Sequence, residues 1–76
     1  MVELVSAIAK SLVEHPENVE VSESQYNGTT VIQLKVAPED MGKVIGKQGR
    51  IAKAIRTVVK AAATKANVRV VVEIVQ

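Results

Sequence analysis

The residues best suited to chemistry lie mid-chain, where Gly46-Lys47-Gln48-Gly49 separates Lys43-Val44-Ile45 from Arg50-Ile51-Ala52-Lys53. Glycine has no side chain to hold a ligand at a distance, so two of them bracketing a loop let a sugar-phosphate chain lie directly on the backbone. A helix beginning just after the loop would aim its unpaired N–H groups and the positive end of its dipole at the same anion. Lys43, Lys47, Arg50 and Lys53 add charge that attracts phosphate without reading base sequence. This is the chemistry of binding. Two glycines at this spacing also mark ordinary turns and helix caps, so the flanking apolar and basic residues carry the weight of the reading.

Catalysis is hard to assemble from this sequence. His15 is the only histidine, it stands beside Pro16, and there is no cysteine to act as nucleophile or zinc ligand. Gly42-Lys43-Val44-Ile45-Gly46-Lys47 falls one residue short of a nucleotide P-loop, and Gln48 stands where that loop needs Ser or Thr. Glu39 and Asp40 are accounted for by the preference of carboxylates for a helix N-terminus. The expectation is no catalytic residue, no metal and no cofactor.

The elements that must hold the loop follow from periodicity. Val2, Val5, Ile8, Ala9 and Leu12 recur at helical spacing until Glu14-His15-Pro16, which predicts a helix to about Val13. Val19–Glu23 and Thr29–Val36 alternate like strands, and Asn27-Gly28 between them supplies the positive φ of a tight hairpin turn. That turn also explains Asn27-Gly28-Thr29 without invoking glycosylation. Glu39–Ile45 predicts a short helix ending at Gly46. A long helix follows from Gly49 or Arg50 to Ala66, with Ile51, Ile55, Val58 and Ala62 expected on its core face. Val68–Val75 closes the chain as a β-branched strand, with Val68, Val70, Val72 and Ile74 on one face and Arg69 and Glu73 on the other. The predicted class is α+β in the order α-β-β-α-α-β, with the helices on one face of a three-stranded sheet and Gln33, Lys35, Arg69 and Glu73 on the wet face.

Charge divides the chain after Asp40. Residues 1–40 set Lys10 and Lys35 against seven carboxylates, a balance of −5, while residues 41–76 set eight cations against Glu73 alone, a balance of +7. The second half is the candidate surface for a polyanion. With 76 residues the chain suits one small domain, and 47% apolar residues suffice for its core. No apolar run reaches the roughly 20 residues of a membrane span, and the start lacks a secretory pattern, so a soluble, cytoplasmic protein is expected.

The segment Gly42-Lys43-Val44-Ile45-Gly46-Lys47-Gln48-Gly49-Arg50-Ile51-Ala52-Lys53-Ala54-Ile55-Arg56 resembles the signature of KH domains, and the element order resembles their prokaryotic, type II arrangement. His15-Pro16-Glu17, Pro38-Glu39-Asp40 and Ala54-Ile55-Arg56-Thr57 extend the likeness to small bacterial members that consist of one KH domain over residues 1–76. The resemblance implies a groove for about four unpaired nucleotides between the two motif helices and the last strand. It implies that Gly46, Lys47, Gln48 and Gly49 hold the RNA backbone, with Lys43 and Arg50 beside them and Lys53 one turn on. Ile45, Ile51, Ala52 and Ile55 would form the apolar wall or the core beneath it, and Arg69 and Val71 would border the groove. It also implies a homodimer or a heterodimer with a larger KH-containing protein, RNA chaperoning, and control of cell elongation and envelope growth.

Tyr26 is the only aromatic residue, so base stacking has no platform and a lone copy should bind weakly. The long helix carries more apolar positions than one packed stripe needs, and some are expected to meet a partner chain. The competing reading is therefore a dimerisation module with weak or non-specific nucleic-acid binding, single-stranded DNA included.

Overall fold

Apolar residues at helical spacing wind the N-terminal segment into α1 (Val2–Leu12), which buries Val5 and Ala9 completely. In the computed structural model, which describes residues 1–46 and 49–75, a single 3₁₀ turn at Pro16–Asn18 leads into β1 (Glu20–Tyr26). Then come β2 (Thr29–Lys35), α2 (Pro38–Ile45), α3 (Arg50–Ala66) and β3 (Arg69–Val75). The expected order of elements is the observed one; the 3₁₀ turn is an addition that Pro16 imposes by fixing its own φ.

The sheet order is β1-β2-β3, with β1 antiparallel to β2 and β2 parallel to β3. Asn27 and Gly28 both take positive φ, 50° and 78°, which gives the right twist for a two-residue hairpin between β1 and β2. A tight turn cannot join parallel strands, so β2 and β3 require a long crossover. α2, the glycine loop and α3 together make that crossover.

Ile32 and Leu34 of β2 and Val72 of β3 face the helices and are buried, while Gln33, Lys35, Arg69 and Glu73 on the other face are exposed. α1 packs on α3, β1 and β2, α3 packs on β3, and α2 is held chiefly against α3. Val68 is 49% exposed and does not continue the buried row of β3. On α3 the buried residues are Ala52, Ile55, Val59 and Ala63, which corrects the expected phase: Ile51 and Ala62 are only partly covered and Val58 is 38% exposed. On β1, Glu23 pairs with Ile32 in the register that faces the helices, yet it stays exposed.

One buried carboxylate ties the front half of the chain to α2. Asp40 is fully buried and accepts the backbone N–H groups of Glu14 and His15, each at 3.0 Å. Asp40 thus serves as the acceptor for the chain leaving α1, beyond the dipole role expected of it. His15 lies 3.6 Å from Glu17 and 3.7 Å from Glu39, which adds exposed polar contacts around the same junction.

Two stability outcomes follow. Asp40→Ala leaves two backbone donors without acceptors and should cost about 3 kcal/mol in urea unfolding, with Asp40→Asn intermediate because it keeps one acceptor oxygen. Val59→Ala should destabilise by roughly 1–2 kcal/mol through the cavity it leaves, against less than about 0.5 kcal/mol for Val58→Ala. Equal costs at the two valines would return α3 to the phase expected from sequence.

Candidate nucleic-acid interface

The two glycines of the loop are required for different physical reasons. Gly46 closes α2, donating its N–H to the Gly42 carbonyl at 2.7 Å. A Cβ on Gly46 would run into that carbonyl oxygen, while its φ of −75° is open to any residue. Close approach to α2 therefore fixes glycine there. Gly49 has φ +64°, in the left-handed region, and donates its N–H to the Gly46 carbonyl at 2.8 Å. A Cβ on Gly49 would meet none of the described residues within 4 Å. Its flank is the open side of the loop. Lys47 and Gln48, the two inner positions expected to touch the ligand, lie outside the described residues.

Gly49 is also the N-cap of α3, and among the described residues no side chain caps that helix. α1 begins with Glu3 in its first turn and α2 with Glu39 and Asp40, but α3 has no acidic residue there. The positive end of a 17-residue helix is thus left facing outward, with exposed Arg50 as its first residue.

At the other end of α3, Asn67 adopts φ 58° and donates to the Thr64 carbonyl, while Val68 donates to the Ala63 carbonyl. This left-handed cap reverses the chain. β3 then runs back along α3, which brings Ile74 level with the start of the helix. Ile45, Gly49, Ala52, Lys53, Arg56 and Ile74 line a groove of about 380 Å³ there. One long side is basic, from Lys53 and Arg56. The floor and the opposite side are apolar, from Ala52, Ile74 and Ile45, the last 56% exposed at the tip of α2.

Of the residues expected at the site, Ile45, Gly49 and Lys53 line this groove, and Gly46 and Arg50 sit at its loop end. Ile51 is partly buried and packs against the core, and Ile55 lies wholly within it. The Lys43 ammonium bonds to the Glu14 carboxylate at the exit of α1 and does not line the groove. Arg69 lies on the wet face of the sheet, so the strand residue that borders the groove is Ile74. Arg56 and Ile74 were not among the expected site residues. Arg56 could have been found, since it follows Lys53 at helical spacing; Ile74 could not, because its place depends on which way β3 runs.

A sequence profile described as the KH domain of KhpA/KhpB matches residues 2–74. The chain is 67% identical over 75 residues to RNA-binding protein KhpA of Clostridium acetobutylicum, covering 99% of this chain and 100% of that one. It is 68% identical over 75 residues to RNA-binding protein KhpA of Clostridium perfringens, with the same coverage. The corresponding protein of Listeria monocytogenes is 47% identical over 76 residues, the full length of both. No solved structure matches the chain.

The separate roles of the glycines can be read from paired substitutions. Gly49→Ala should cost about 1–2 kcal/mol for the left-handed backbone, and Gly49→Asn appreciably less, because asparagine tolerates that region. At Gly46 both Ala and Asn should cost about 1–3 kcal/mol from overlap with the Gly42 carbonyl, with no rescue by Asn. Urea unfolding of the four variants measures this directly, and rescue at Gly46 would contradict the close approach.

Proposed function

Because this chain belongs to the KhpA/KhpB family of KH domains, we propose that it binds RNA by seating about four unpaired nucleotides in the groove between the Gly46–Gly49 loop, α3 and β3. The observation that carries this reading is the start of α3, with no acidic residue in its first turn and no side-chain cap among the described residues, opening onto a groove with one basic and one apolar side. Phosphates lie against the loop backbone, where Gly49 leaves room, and are drawn by the α3 dipole, Arg50, Lys53 and Arg56. Lys47 and Gln48 complete the grip. Bases turn towards Ile45, Ala52 and Ile74 and are held by apolar contact. The single domain that does this is residues 1–76.

Tyr26 is 72% exposed at the β1–β2 turn and does not line the groove, so stacking adds nothing and one copy binds weakly. Useful affinity then comes from linking two sites. Ala54, Val58 and Ala61 lie exposed at helical spacing on α3, which supports association with a second chain, either another copy or a KhpB-like KH protein. Lys43 contributes once an approaching phosphate draws it from Glu14. Likeness to the family supports action in the cytoplasm as an RNA chaperone or post-transcriptional regulator linked to cell elongation and envelope growth.

The test follows from the open flank of Gly49. Gly49→Asp places a carboxylate beside the expected phosphate in a residue that tolerates left-handed backbone, and Gly49→Asn is its neutral match. Titrated with one single-stranded RNA and the DNA of the same sequence, the Asp variant should lose binding while the Asn variant keeps most of it. Equal binding by Asp and Asn would remove the loop from the site and leave the exposed α3 strip, and hence a dimerisation module, as the better reading. Equal affinity for RNA and DNA would mean that only the backbone charge is recognised.

A further inference from the structure

The β1–β2 turn carries a chemistry that the groove does not use. Of the three asparagines in the chain, Asn18 and Asn67 are each followed by valine, and Asn27 alone by glycine. Val19 donates its N–H to the Pro16 carbonyl and Val68 to the Ala63 carbonyl. The backbone nitrogen after Asn18 and after Asn67 is thus engaged, and it stands beside a branched Cβ. The Gly28 nitrogen has neither restraint. Among the described residues no acceptor takes its N–H, and nothing beyond its chain neighbours would lie within 4 Å of a Cβ placed there.

Asn27 is itself exposed, and its φ of 50° together with the 78° of Gly28 makes the two-residue hairpin turn. Residues with branched or bulky side chains are strained at such angles, so the turn selects asparagine followed by glycine. The geometry that the hairpin needs therefore installs a side-chain amide next to an open, unhindered backbone nitrogen.

We propose that Asn27 converts spontaneously to isoaspartate in the folded protein, and that the product loosens the tip of the β1–β2 hairpin while the helices and the groove stay in place. The Gly28 nitrogen loses its proton to solvent base and attacks Cγ of Asn27. The new N–Cγ bond closes a cyclic imide as the Cγ–Nδ2 bond breaks, and the side-chain nitrogen takes a proton from water and leaves as ammonia. Water then opens the imide. Breaking the bond from the Gly28 nitrogen to the backbone carbonyl carbon leaves the chain running through Cβ and Cγ, which is isoaspartate; breaking the bond to Cγ gives aspartate. Nothing is oxidised or reduced, and water is the only co-reactant.

Isoaspartate lengthens the main chain of the turn by one atom and places a carboxylate where the side chain was neutral. Hairpin register is set by turn length, so the pair next to the turn, Tyr26 with Thr29, no longer closes as before. One step further in, the Gln25 amide donates to the Thr30 hydroxyl at 2.8 Å and ties the two strands together, which confines the disturbance to the tip. β1 buries no residue completely and lies at the edge of the sheet, whereas the core is drawn from β2, β3 and the helices. The fold therefore survives the change.

The experiment incubates the intact chain at mildly alkaline pH, folded in buffer and unfolded in urea, and samples it over weeks. Acid-protease peptides are read by mass spectrometry, and isoaspartate is counted by labelling with an isoaspartate-specific methyltransferase. Isoaspartate should build up at Asn27 in the folded chain, faster as pH rises because the attacking nitrogen must lose its proton, and should be absent at Asn18 and Asn67. Asn27→Gly, which keeps a residue at ease with positive φ, should lose the signal. Isoaspartate that forms at Asn27 only in urea, or that forms first at Asn18 or Asn67 in the folded chain, overturns the proposal. In amide NMR spectra of the aged chain, residues 25–30 should show a second set of peaks that grows with isoaspartate content, while the peaks of α3 stay where they were. A second set that spreads through α3, or turn peaks that never split although isoaspartate is present, overturns the confinement of the change to the hairpin tip.

Discussion

The parallel pairing of β2 with β3 is the constraint on which the rest of this structure depends. Strands that point the same way must be joined by a segment that returns to the starting end of the sheet, and here that segment carries two helices. A break between them is unavoidable, and the glycine loop occupies it. α3 must travel back along the sheet before β3 can begin, so helix and final strand lie side by side for their whole common length. The trough between them is a by-product of topology. What the sequence adds is its lining: cations along one helical flank, aliphatic side chains on the strand.

A trough is useful only if the loop end of it is held still. Two interactions do this from opposite sides. Gly46 presses its backbone against Gly42, which sets the angle at which α2 ends, and Asp40 fixes the other end of α2 to the chain leaving α1. Asp40 sits two positions before Gly42 on the same short helix. Asp40 of the first half thus has a structural task and Glu14 takes up Lys43, while among the described residues the other cations of the second half have no ion-pair partner. The opposed charge of the two halves reflects this division of labour between scaffold and surface.

The element order, the hairpin turn and the glycine loop were legible in the sequence because each is a local matter. Asn27-Gly28 specifies its own turn, and alternation in Thr29–Lys35 needs no knowledge of neighbours. What could not be read depends on partners distant in sequence. The acceptor role of Asp40 is invisible because its donors are backbone groups 25 and 26 residues away, which carry no side-chain signature. Lys43 is turned aside by Glu14 for a similarly remote reason. The phase of α3 was misjudged because its apolar arc is wide enough to admit two, and only packing against α1 and β3 selects the one that buries Val59 rather than Val58.

Glu23, on the inner register of β1 yet uncovered, has a consequence for the protein among its own copies. β1 and β3 each leave one side of the sheet unpaired, and β3 flanks the trough. A polymer that binds many copies concentrates them, and crowded open strand edges tend to zip into continuous sheets. For β1, such joining would take the inward-register Glu23 carboxylate out of water beside another copy's strand, a desolvation penalty that disfavours pairing between identical edges. Copies of this chain brought close together can therefore stay separately folded.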